Sequence, residues 1–176
     1  MAFESSLRFG GLAGLSKLVR RLRRNHALEH ATVHVLAHQR PSLKLVGQTT
    51  PSGFYLYGDV KPAEVERAVR EAMDLLRGAP ELAIHPRCGT NLAVTGLLAG
   101  LAAFAVSARP QRSRWLLLPQ VLLASLWAVL IAQPLGALVQ QRLTTLAPCD
   151  GVQIGSIQQR MVGGVPATFV PLRWPE

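Results

Sequence analysis

Two uncharged stretches decide the fold: NLAVTGLLAGLAAFAVSA at residues 91–108 and WLLLPQVLLASLWAVLIAQPLGALV at residues 115–139. A helix needs about 20 apolar residues to cross the hydrocarbon core of a bilayer. The first stretch just meets that length and the second exceeds it. A chain of 176 residues offers one compact domain, too little to cover two all-apolar helices on every side. The stretches are therefore expected to form a transmembrane helical hairpin over 90–140, joined by the short connection Arg109–Arg114.

Within the first stretch, Gly96, Ala99, Gly100, Ala102 and Ala103 are small, and Gly96 and Gly100 make a GxxxG. Small residues let helix backbones approach in lipid, and the expected partner is the second stretch. Pro119 falls in the expected first turn of that span, where it is harmless, whereas Pro134 is expected to kink or end the helix near Ala132. Trp115 and Trp127 are read as membrane-interface or bundle positions.

On either side of the hairpin the chain reads as a small α+β domain at the membrane surface, with regions 1–89 and 141–176 completing one another. Residues 1–10 look irregular because of Gly10 and Gly11, and a helix is expected from about Leu12 to His38, closed by Pro41. LKLVGQTTPSGFYLYGDV (43–60) reads as a β-hairpin about a Pro-Ser-Gly turn. A second helix is expected from Pro62 to Arg77, with Gly78 as its cap. Leu82–Ile84, Val152–Ile157 and Ala167–Leu172 read as short strands.

The net charge of +9 suits an anionic partner. Lys17, Arg20, Arg21, Arg23 and Arg24 are the densest cations, and no RNA-binding motif accompanies them. Anionic lipid headgroups are expected rather than nucleic acid. The apolar part of the first 25 residues precedes the positive cluster, so no cleavable signal peptide is expected. The N-terminal cations argue for cytoplasmic termini and the three arginines of Arg109–Arg114 for a cytoplasmic tip; the reading leans to the termini. A homo-oligomer remains an open partner.

The chemistry concentrates in two motifs. In His26-Ala27-Leu28-Glu29-His30 the histidines stand one helical turn apart and can share a metal ion, while Glu29 can take a proton from an activated water. Leu15, Leu18, Val19 and Leu22 share their face with His26, Glu29, His30, Val33 and Ala37, so an inward-packing stripe would bury the polar trio. His34 and His38 rotate off that face. The second motif is His85-Pro86-Arg87-Cys88-Gly89-Thr90-Asn91, whose H-x-x-C spacing in a tight turn can add His85 and Cys88 as ligands. Cys149 could pair with Cys88, share its metal or be a buried thiol, and Asp150 beside it could support a ligand. Arg87 reads as a flanking cation at the membrane boundary.

The segments RRNHALEHATVHVL (23–36) and HPRCGTNL (85–92) resemble a family of small, uncharacterised bacterial membrane proteins, which GFYLYGDV (53–60) also fits. They also resemble the YqhQ-type proteins, which pair H-x-x-E-H with H-P-R-C-G-T directly before a membrane span and are described, by inference, as metal-dependent enzymes. The resemblance implies a metal site and does not supply a reaction. The expected function is a zinc (or other divalent transition metal) membrane hydrolase, such as a peptidase, with Glu29 as base and His26, His30, His85 and Cys88 as ligands. The alternative is a closed structural metal site in a scaffold or assembly factor. Metal or haem transport is a third reading, and would demand His34 and His38 as much as His26 and His30.

Overall fold

The computed structural model describes residues 2–108, 114–147 and 149–175. The connection 109–113, on which the argument for a cytoplasmic tip rests, lies outside the described residues. The chain divides into two units, Met1–Ile84 with Leu143–Glu176, and His85–Arg142.

The first unit is α+β. Helix α1 (Ala2–Gln39) is followed by strands β1 (Val46–Thr50) and β2 (Gly53–Tyr57), and then by helix α2 (Pro62–Gly78). After the second unit come β3 (Gln153–Ile154), β4 (Gln158–Val162) and β5 (Val165–Arg173). All pairings are antiparallel: β2 lies between β1 and β5, and β5 pairs on with β3 and β4. Phe54, Leu56, Val170 and Leu172 of the sheet pack with Ala27, Leu28, Ala31, Val35 and Leu36 of α1 and Val65, Val69, Ala72 and Leu76 of α2 in one buried cluster. The alternation of β2 and the 3–4 spacing of α2 produce this core directly.

Several expectations change. Helix α1 starts at Ala2, not near Leu12; Gly10 and Gly11 each lower helix propensity by about 1 kcal/mol but do not forbid the conformation. Leu82–Ile84 is no strand: Pro80–Ala83 forms a 3-10 turn opened by its proline. Gly78 is the last residue of α2, and Ala79 caps it by donating its N–H to Leu75 O. Strand β4 was missed because Gln158–Val162 is polar and almost wholly exposed. Gly163 and Gly164, with φ of 58° and 81°, make the two-residue turn that folds it onto β5.

The second unit holds α3 (Gly89–Ser107) and α4 (Arg114–Val139), packed on one another and followed by a π-turn, Gln140–Thr144. Both helices are long and apolar enough to cross a membrane, and only 6% of the first apolar window and 17% of the second is buried. The core helix of a soluble protein would be mostly covered; here Leu92, Leu97, Phe104, Leu122, Trp127 and Ile131 face outward. Pro119 and Pro134 both lie inside α4, which continues past Pro134 to Val139 rather than ending near Ala132. Small residues do bring the backbones together, but not through the GxxxG. Gly96 and Gly100 are exposed with open space where a Cβ would stand, whereas at Gly136 a Cβ would collide with the Asn91 amide.

Candidate functional site

Helix α1 changes character along its length. From Asn25 to Leu36 every residue but the half-buried His26, Val33 and His34 is buried, including the polar Asn25, Glu29, His30 and Thr32. Burying such groups is tolerable only when each is hydrogen-bonded. Asn25 donates to Thr50 O (2.8 Å) and accepts from Trp174 Nε1 (2.6 Å), and Thr32 donates to Leu28 O (2.7 Å). The upstream part of the expected apolar stripe does not pack inward: Leu15, Leu18 and Val19 are exposed, as is Ala37.

His26 and His30 stand edge to face, with ring centroids 4.2 Å apart. One ring nitrogen of each lies within 4.8 Å of the other's. Nδ1 of His26 is 3.0 Å from Thr144 O, and Nδ1 of His30 is 2.7 Å from Ala83 O. A carbonyl oxygen can only accept, so each Nδ1 carries a proton. In the neutral rings this leaves both lone pairs on Nε2. Carbonyl-fixed tautomers of this kind are how metal-binding histidines are usually prepared. The Thr144 carbonyl comes from a segment laid along α1: Arg23 donates to Thr145 O (2.9 Å), and Leu146 N donates to Arg23 O (3.0 Å).

Glu29 faces β1. Its Oε2 accepts from Thr49 Oγ1, and Gly47 leaves the space its carboxylate fills, since a Cβ there would overlap Oε1, Cδ and Cγ. Neither Thr49 nor Gly47 was singled out from the sequence, because nothing local marks which strand residues a helix carboxylate will meet. His34 uses Nε2 on Ile84 O (3.2 Å), so this imidazole, with His30, holds the backbone at Ala83–Ile84. His38 is exposed at the end of α1.

In the second unit, Cys88 is buried and caps α3, its Sγ accepting from Thr90 N–H at 3.4 Å. The H-P-R-C turn is tied down by Gln140, which is fully buried. Gln140 Oε1 accepts from His85 N (2.9 Å), and its Nε2 donates to His85 O (3.2 Å) and to Asn91 Oδ1 (2.7 Å). Asn91 Nδ2 donates to Pro86 O (2.8 Å). His85 Nδ1 accepts from Arg87 N–H (3.2 Å), which places the proton of the neutral ring on Nε2. His26 and His30 in the first unit offer two imidazole donors, and Cys88 in the second offers a thiol, donor types compatible with metal binding.

Cys149 and Asp150 are engaged elsewhere. Cys149 lies against Arg24 O (3.8 Å), and burial pushes its thiol up to about 12, with Asp150 adding to the rise and Arg24 opposing it. Both cysteines are thiols. Asp150 is exposed and pairs with Arg77 Nε (3.1 Å), a contact that raises the Arg77 guanidinium further.

The fold and site thus define an α+β protein that carries two helices of membrane-crossing length and a carbonyl-fixed pair of imidazoles on its first helix. The chain belongs to the DUF6391 family, a domain of unknown function, which it matches over residues 21–157, a span that contains both motifs. It is 42% identical over 168 residues to an uncharacterised protein of Picosynechococcus sp. (strain ATCC 27264 / PCC 7002 / PR-6), covering 88% of this chain and 80% of the relative. No solved structure matches it.

Proposed function

We propose that this chain is an integral protein of the bacterial cell membrane, crossed by α3 and α4 as a hairpin, with its α+β unit on the cytoplasmic side. The crossing is supported by the outward apolar surface of both helices and by length: the 19 residues of α3 span about 28 Å against a hydrocarbon core of about 30 Å. The cytoplasmic side is supported by the five cations of residues 17–24.

The same reading assigns a divalent transition metal, zinc in the first instance, to His26, His30 and Cys88. The observation that carries it is the pair of Nδ1–carbonyl bonds to Thr144 and Ala83, which makes Nε2 the acceptor nitrogen of two neighbouring rings, one half-buried and one buried. Cys88 is tethered five residues beyond Ala83, so covalent reach alone keeps it within about 18 Å of that anchor. Three protein donors leave a fourth tetrahedral position open, as hydrolytic sites require. The resemblance of both motifs to the YqhQ-type proteins points the same way.

The reaction we assign is hydrolysis, with an amide or ester substrate. A metal ion held there supplies Lewis acidity. Glu29 takes the proton of the attacking water, whose oxygen bonds to the substrate carbonyl carbon; the carbon–nitrogen or carbon–oxygen bond breaks, and Glu29 returns the proton to the leaving group. Thr49 holds the carboxylate in place for both transfers.

Elemental analysis of the purified full chain tests this. One metal per chain is expected, lost in His26→Ala and Cys88→Ala and retained in His34→Ala and Glu29→Gln. Metal-free wild type overturns the site. Metal retained in Glu29→Gln with hydrolysis unchanged overturns the base assignment, and a metal-loaded wild type that hydrolyses neither amides nor esters favours a structural metal in a scaffold.

A further inference from the structure

Residues 14–24 of α1 make an amphipathic surface that is exposed from Gly14 to Arg21 among the described residues. Leu15, Leu18 and Val19 are 56%, 39% and 45% exposed, although the same helix one turn later is buried to 0% at Ala27 and Leu28. At about 100° per residue, Leu15, Leu18, Val19 and Leu22 fall within one third of the helix circumference. Lys17, Arg20, Arg21 and Arg24 occupy the opposite side and its flanks. Between Glu4 and Glu29 the chain contains no acidic residue. Facing the helix within the unit, Arg23 bonds a carbonyl oxygen and Arg24 lies over the Trp174 ring (5.1 Å).

A leucine stripe bordered by cations, with no acids, is the chemistry of a helix lying in the headgroup layer of an anionic bilayer. The apolar face sinks to the acyl boundary and the long basic side chains reach the phosphates. We propose that residues 14–24 of α1 dock on an anionic phospholipid surface, parallel to the membrane. The inference rests on the membrane reading above, because the hairpin is what brings lipid to this unit. The chain leaves the unit at Ile84, five residues before α3, and returns to it at Leu143, four residues after α4. The docking surface is therefore tethered at two points to segments that enter the bilayer.

Hydrogen exchange on the full chain in nanodiscs tests it. Two lipid compositions are compared, phosphatidylcholine alone and phosphatidylcholine with about one third phosphatidylglycerol. Amides of residues 14–24 should exchange at least about tenfold more slowly on the anionic discs, given about 1 kcal/mol for each cation at such a surface. Raised salt should abolish the difference. The triple variant Lys17→Gln/Arg20→Gln/Arg21→Gln should abolish it too, with core amides of α2 unchanged. Equal exchange on the two discs, with α3 and α4 protected in both, overturns this inference and leaves the membrane reading standing. Unprotected α3 and α4 overturn both.

Discussion

Replacing Gly47 with alanine should damage the unit through one side chain, Glu29. Gly47 is not among the positive-φ glycines, so the substitution brings no backbone strain. Its cost is the collision of the new methyl with Oε1, Cδ and Cγ of Glu29. Glu29 is 6% exposed and held by Thr49, so it cannot swing into solvent without opening the α1–β1 contact. Overpacking of this kind costs about 1–3 kcal/mol, or about 5- to 150-fold in an opening equilibrium. The readout is the alkylation rate of Cys149, which is 3% exposed and reacts only when the unit opens, assigned on its peptide by mass spectrometry in the detergent-solubilised full chain. Glu29→Ala alone removes the Thr49 bond, a loss of about 1 kcal/mol. In Gly47→Ala/Glu29→Ala the methyl enters the space the carboxylate left, so the double variant should open little more readily than Glu29→Ala. Rates that add to within about 0.5 kcal/mol would refute a direct steric coupling.

Gln140→Leu should loosen the H-P-R-C turn, since it strips hydrogen bonds from His85 N, His85 O and Asn91 Oδ1, at about 1–3 kcal/mol for each buried group left unpaired. Cys88 should then be alkylated at least about tenfold faster with Cys149 unchanged; an unchanged Cys88 rate contradicts the network's role. Cys149 also predicts a pH dependence. Its thiol is raised in the fold to about 12, so the folded state holds the proton longer than the unfolded chain does. The contribution is complete below the unfolded thiol value of about 8.5 and is lost as pH rises from there towards 12. Cys149→Ala should therefore flatten the alkaline limb of the stability profile, followed by unfolding of the α+β unit from neutral to alkaline pH. An identical limb in variant and wild type would exclude Cys149 as its source.

What the sequence made legible follows physical range. The two apolar helices, the β1–β2 hairpin and α2 are each written in local pattern: uninterrupted apolarity, alternation about a Pro-Ser-Gly turn, and a proline-opened 3–4 repeat. Strand β4 was not legible, because an exposed edge strand such as Gln158–Val162 has no apolar face to advertise, and its signal was the Gly163-Gly164 turn beside it. The His26–His30 pairing was legible from spacing. What fixes the tautomers was not: Thr144 and Ala83 contribute backbone carbonyls, which any residue could supply. The tautomer of His85 was equally illegible, because its Nδ1 accepts from Arg87 N–H, a contact set by the conformation of the turn.

The exposure pattern of α1 ties the two proposals together. The lipid-docking segment and the paired histidines belong to one unbroken helix, and Leu22 stands one turn before His26. A helix transmits displacement along its axis with little bending unless a proline, glycine pair or π-bulge interrupts it, and residues 15–39 of α1 contain none of these. If residues 14–24 dock on lipid as proposed, a displacement there would be carried along the helix towards His26 and His30. Any such coupling must be reciprocal: if anionic lipid changes the affinity of the histidines for a metal, the metal changes the affinity of the helix for lipid by the same factor. A buried second half alone would serve a structural site as well. If both proposals hold, an exposed, basic first half continuous with the histidine-bearing half would let the occupancy of the site respond to the membrane.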